Sequence, residues 1–105
     1  MVKRSIPHKV FDTKEDFHRF VKNEKAWMYS RIVEAIEEAF HDGEMKACIF
    51  EAKIEEAGTI ITMNSETEDW EKSLSLAMKW NEKQENYEEC IRIQKLINEI
   101  KDCIG

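Results

Sequence analysis

Two pairs of carboxylates raise the question of chemistry. Glu34 with Glu37, and Glu66 with Asp69, stand three residues apart, a spacing that sets both groups on one helix face, where oxygen ligands could hold magnesium for hydrolysis of a phosphoanhydride. For the second pair a competing role is helix capping, because Glu66 to Asp69 falls where a helix is expected to begin. With 22 acidic residues in the chain, such pairs also arise readily. The other signatures of catalysis are missing. There is no P-loop, G-x-S-x-G, H-E-x-x-H or G-x-G-x-x-G, and three glycines are too few for a phosphate cradle. Cys48, Cys90 and Cys103 are odd in number and form no C-x-x-C, and His8, His18 and His41 are scattered, so neither a disulfide framework nor a metal site is expected. The sequence therefore reads as a non-enzyme without metal or cofactor.

Charge is distributed unevenly. Between Met1 and Arg31 eight basic residues face four acidic ones, so this part carries +4 within a chain of net −6. On a single helix His18, Lys22, Lys25 and Tyr29 would fall in one line, with Lys14 and Arg19 flanking and Phe11 and Trp27 near in sequence. Cations interleaved with aromatic rings are how single-stranded nucleic acid is gripped, so these residues form an alternative nucleic-acid face. The acidic remainder of the chain opposes it, weakening attraction to a phosphate backbone. With the opposite sign, Glu34, Glu37, Glu38 and Asp42, or Glu82, Glu85, Glu88 and Glu89, could imitate nucleic-acid charge and block a basic site on another protein. Small acidic phage-encoded inhibitors are similar in size and composition.

At 105 residues, 42% apolar and 36% charged, the chain has the length and composition of one folded domain and not of a disordered one. No stretch approaches the ~18 apolar residues of a membrane span, and the residues after Met1 lead into charge where a signal peptide needs an apolar segment, so a cytoplasmic location is expected. Residues 1–12 read as an extended leader containing Pro7. Asp12 or Thr13 caps a helix over 13–42, where Phe17, Val21, Met28, Ile32, Ala35, Ile36 and Ala39 recur at helical spacing and Gly43 is placed as the left-handed terminator. A break near Asn23 is the alternative, because an unbroken helix would be about 42 Å long.

Residues 46–63 read as a β-hairpin, with Cys48, Phe50, Ala52 and Ile54 on one face and Glu56-Ala57-Gly58 as the turn; the competing reading is a third helix ended by Gly58. Ser65 with Glu68 forms a capping box, and Thr67 is a second candidate cap. Residues 67–102 then form an antiparallel αα-hairpin closed at Glu85-Asn86. The fold class is mainly α with a minor β part: a long N-terminal helix, a small β-hairpin and a C-terminal helical hairpin.

The last helix is apolar on more than one side. Tyr87, Cys90, Ile91, Gln94 and Ile97 make one stripe, and Ile93, Leu96, Ile100 and Cys103 make a second at alternating spacings of three and four. The run Asn86 to Ile100 resembles the UVR motif, the helical hairpin of the UvrB and UvrC excision-repair proteins and of some chaperone ATPases and their adaptors. Asn86, Tyr87, Glu88, Cys90, Ile93, Ile97 and Ile100 fall on its pattern, and Leu74 to Lys83 is similar to its first helix. Cys90 and Ile91 stand where that motif has small residues, and Gln94-Lys95 where it has Arg-Asp. The resemblance implies a non-catalytic module that pairs with another such hairpin or with a docking surface.

The expectation is an acidic regulatory or protein-interaction module, an adaptor or a phage-type inhibitor of an enzyme. It would meet a protein partner, or a second copy as a homodimer, through Ile93, Leu96, Ile100 and Cys103 with Trp80 as an anchor. A nucleic-acid-binding protein and a magnesium-dependent nucleotide pyrophosphatase are the alternatives.

Overall fold

Phe50, Ala52 and Ile54 alternate along a strand, and each is buried, so the sheet has a covered side and an open one. The computed structural model describes residues 6–104, in the order β1 (His8–Phe11), α1 (Lys14–Asn23), α2 (Lys25–His41), β2 (Lys46–Ile54), β3 (Thr59–Glu66), α3 (Thr67–Lys83) and α4 (Tyr87–Ile104). The strands form one sheet in the order β1-β2-β3. β1 runs parallel to β2, with His8 opposite Glu51, and β3 runs antiparallel to β2. The helices pack on the side that Phe50 and Ile54 face, and one cluster of buried side chains unites them.

The expected β-hairpin is present, and Gly58, at φ +60°, completes a turn in which its amide donates to Glu55 O at 3.2 Å. The leader differs from expectation: residues 8–11 are a strand that pairs with β2 across the α1–α2 crossover. Four residues, His-Lys-Val-Phe, give too little pattern to reveal it. The first five residues of that leader lie outside the described ones.

Of the two expectations for 13–42, one long helix or a break near Asn23, the structure has the break. The chain turns at Glu24 (φ −97°, ψ 53°), whose amide still donates to Phe20 O at 2.8 Å. The physical reason is reach. β2, at nine residues, is about 30 Å long, and a straight rod of about 42 Å would carry one end away from the sheet. The break lets Phe20 and Trp27, on different helices, both meet Phe50, at ring centroid distances of 6.3 and 5.3 Å. Thr13 caps α1 through its hydroxyl, which accepts from Asp16 N at 3.1 Å. Gly43, at φ +73°, ends α2, with Glu44 N donating to Ala39 O and Gly43 N to Phe40 O, the paired bonds of a Schellman motif.

β2 carries a bulge. Cys48 pairs with Asn64 and Phe50 with Met63, so Ile49 is the extra residue. This shifts the alternation: Ala47 is buried beside Phe50, Ala52 and Ile54, whereas Cys48, expected on that face, is only half-buried. Arg31, buried on α2, answers the irregularity. Its Nε donates to Ile49 O at 2.9 Å and Nη2 to Cys48 O at 3.3 Å, while Nη1 meets Glu34 Oε1 at 3.0 Å. A planar fork suits two adjacent carbonyls in a way that a point charge does not.

The capping box expected from Ser65 and Glu68 is absent. β3 runs to Glu66 and α3 begins at Thr67 with no loop between. Ser65 is the last inward residue of the strand, and its buried hydroxyl has no hydrogen-bond partner, while the Thr67 hydroxyl donates to Met45 O at 2.6 Å.

Two measurements follow. Ser65→Ala should leave stability unchanged or raise it, because it removes an unsatisfied buried hydroxyl, whereas Thr13→Ala should cost about 1 kcal/mol in urea unfolding; a capping role for Ser65 requires a loss there too. Arg31→Leu should lower stability by about 2–3 kcal/mol by stranding the bulge carbonyls, and Arg31→Lys should recover less than half of that.

Candidate interaction site on the helical hairpin

α4 has an inner and an outer side. Ile93, Leu96, Ile97 and Ile100 are 0%, 2%, 4% and 3% exposed and lie within the common core with Ile36, Trp70, Leu74 and Ala77. The expected contact stripe of Ile93, Leu96 and Ile100 is therefore not at the surface. Its second end, Cys103, is exposed. Fully burying one such aliphatic side chain is worth roughly 1.5–3 kcal/mol, so four of them together rival the whole stability of an ordinary domain. Peeling this stripe open for a partner would cost the fold itself.

The apolar groups left outside are others. On α4 Tyr87 and Ile91 are 61% and 71% exposed, one turn apart, and on α3 Leu76 is also exposed, four residues before Trp80. By spacing Tyr87, Cys90, Ile91, Gln94 and Ile97 form one stripe, yet Ile97 is core and Ile91 is exposed; a helix with apolar residues on most sides does not reveal which stripe is inward until its neighbours are placed.

At the end of the hairpin a cleft of about 320 Å³ opens between α2, the α3–α4 turn and the start of α4. Tyr29 and Trp80, 5.6 Å apart and tilted by 31°, form its aromatic wall. Asn81 is buried at its base, donating to Ala77 O at 2.8 Å and accepting from Asn86 Nδ2 at 3.2 Å. Arg92 on the far side is held by Glu37 Oε1 at 2.8 Å and Glu89 Oε1 at 2.9 Å. These bonds, that to Glu37 first, raise its pKa and hold the guanidinium charged. Half-buried Cys90 has its thiol pKa pushed up by burial and then by the carboxylates of Glu82 and Glu89, so it is a poor thiolate.

The turn itself is strained. Glu85 has φ +59°, Asn86 N donates to Asn81 O at 2.9 Å and Glu85 N to Glu82 O at 3.0 Å. This is a second Schellman arrangement, with glutamate at the position that favours glycine.

The structure separates the alternative nucleic-acid face. Lys14, His18, Arg19 and Lys22 are on α1, and Lys25 and Tyr29 are beyond the break on α2, so the expected single line is interrupted. Arg19 is paired with Glu15 at 3.2 Å and Asp16 at 3.3 Å. Tyr29 is half-buried against Trp80, and Phe11, Phe17, Phe20 and Trp27 pack on one another or on Phe50. Lys9 closes that aromatic group with its ammonium 4.6 Å from the Trp27 ring. Of the carboxylate pairs, Glu34 is bound to Arg31 and Glu37 to Arg92, while Glu66 is the N-cap residue of α3 and Asp69 lies in its first turn. Among the described residues no group of three or more His, Cys, Asp or Glu side chains is placed to hold a metal ion, and no helix is long and apolar enough to cross a membrane.

Comparison of the chain with protein-family models, curated proteins and solved structures returned no match.

Glu85→Gly should raise stability by about 1 kcal/mol, because it relieves the left-handed strain. Thermal or urea unfolding checks this, and a loss of stability would mean that the Glu85 side chain holds the turn.

Proposed function

We propose that this chain is a protein-interaction module, regulatory in role, whose docking face is the solvent side of the C-terminal hairpin. The carrying observation is the exposure of Tyr87 and Ile91 on the helix whose opposite side is sealed into the core. Large apolar side chains left in water on a rigid element are the usual anchors of an interface, and Tyr supplies area at low entropic cost. Trp80, half-buried against Tyr29, is a further anchor; Ile93, Leu96 and Ile100 support that surface from below.

The resemblance of residues 86–100 to the UVR motif favours the same reading, since that motif is a docking hairpin. Charge narrows the partner's chemistry. Glu82, Glu85 and Glu88 lie at the tip with Lys83 among them, while Glu89 is already paired with Arg92, so the complementary surface is an apolar patch rimmed by basic groups. An adaptor or an inhibitor that covers a basic site on an enzyme fits this description. The broken basic line on α1 and α2 adds nothing to the nucleic-acid alternative.

Two folded variants test the proposal: Tyr87→Ser with Ile91→Glu on the hairpin, and Lys22→Glu with Lys25→Glu on the basic side. With the wild type and each variant immobilised and exposed to native-host extract, proteins retained by the wild type should be lost from the first variant and kept by the second. Retention by the hairpin variant together with loss from the lysine variant would overturn the assignment.

A further inference from the structure

The cleft beside the hairpin turn combines rings, oxygens and charge that the docking face at Tyr87 and Ile91 does not use. At about 320 Å³ it stands at the small end of ligand pockets, which run from roughly 300 to 1,000 Å³, so it has room for one side chain or a small ring and not for an extended ligand. Its base is the buried Asn81, whose bonds to Ala77 and Asn86 pin the turn to α3. Charge decides what such a cleft takes. The α2 segment that lines it, residues 26–30, carries no charged side chain, whereas residues 80–92 together with Glu37 hold five carboxylates, Glu37, Glu82, Glu85, Glu88 and Glu89, against Lys83 and Arg92, a net of −3. Arg92 does not reverse the sign locally, because it is shared between Glu37 at 2.8 Å and Glu89 at 2.9 Å. A phosphate-bearing ligand is repelled here, and a neutral ring gains nothing from the field. A cation lying on an indole face gains from both the ring and the carboxylates.

We propose that the cleft receives an arginine side chain of the protein partner, with its guanidinium on the Trp80 ring and its donors on the oxygens of the cleft. The inference rests on the docking role proposed for the hairpin. Asn86 lines the cleft and the next residue, Tyr87, is the exposed anchor, so a partner surface that reaches around the turn meets both. Arginine suits the cleft better than lysine for two reasons. Its guanidinium is planar and weakly hydrated, so it stacks on an indole at a lower desolvation cost, and its five donors need acceptors in several directions. The Gln84 and Asn86 carboxamides, the Ser30 hydroxyl and the Glu89 carboxylate supply acceptors from three segments. An ammonium is a compact, strongly hydrated charge that would use few of them.

The probe is Nα-acetyl-arginine amide, titrated into the full chain and followed by NMR at the Trp80 indole and the amides of Gln84, Asn86 and Glu89. Saturable shifts are expected there, with a Kd on the order of millimolar. The lysine amide should bind several-fold more weakly, and the uncharged citrulline amide should leave the signals unmoved. Gln84 is exposed, so either sign of charge can be placed there without disturbing the fold: Gln84→Lys should weaken the probe about fivefold and Gln84→Glu should strengthen it by a similar factor. A partner held by the hairpin face should likewise be held more weakly by Gln84→Lys. The Tyr87→Ser, Ile91→Glu variant should bind the probe as the wild type does, which separates the cleft from the outer face: loss of the partner there with no probe binding in the wild type sinks the cleft and spares the docking face. Equal shifts with the citrulline amide or adenosine, indifference to both Gln84 substitutions, or a partner held unchanged by Gln84→Lys would also overturn the inference.

Discussion

The sealing of one side of α4 against α2 and α3 is the constraint from which the rest of the surface follows. A last helix with apolar residues on several sides can cover only one of them with its own chain. Ile93, Leu96, Ile97 and Ile100 take that place, and the burial they contribute is of the same order as the net stability of a small domain. Tyr87 and Ile91 are consequently fixed outward, and the cleft by Tyr29 and Trp80 lies where the hairpin turn meets α2. The division between what holds the fold together and what stays in water is thus made within a single helix.

The same division appears in the sheet. Its covered face depends on the extra residue at Ile49, which brings Ala47 into phase with Phe50, and on Arg31, which supplies the donors that the displaced Cys48 and Ile49 carbonyls need. A buried guanidinium is costly to desolvate unless its donors are used; here Nε, Nη1 and Nη2 each have an acceptor. With the core side settled in this way, Val10 and Ile60 remain on the open side.

Much of the fold was legible in the residues. The Thr13 cap, the Gly43 terminator and the hairpin around Gly58 each have a local cause and appear where that cause places them, and the two C-terminal helices follow their apolar periodicity, although α3 starts without the cap expected for it. What was not legible depends on contacts distant in sequence. β1 is a strand because β2 lies beside it. That the break near Asn23 is taken, and not the unbroken helix, is decided by the meeting of Phe20 and Trp27 with Phe50, and Ser65 is inward because β3 continues past the point where its hydroxyl could cap. For the site the limit was rotational: periodicity showed that α4 has two apolar stripes, but only the positions of α2 and α3 decide that the one containing Ile93 is core. The residue type alone marks Trp80 as a candidate anchor, whereas its pairing with Tyr29 across two helices leaves no sign in the sequence.

Native-state hydrogen exchange along α4 tests this division most directly. If the inner stripe is core, the amides from Ile93 to Ile100 exchange only through global unfolding, with the same free energy and denaturant dependence as those of Phe50 and Leu74. Exchange of that segment through a low-energy opening confined to α4, while β2 and α3 stay protected, would mean that the stripe is available to a partner after all, and would contradict the account.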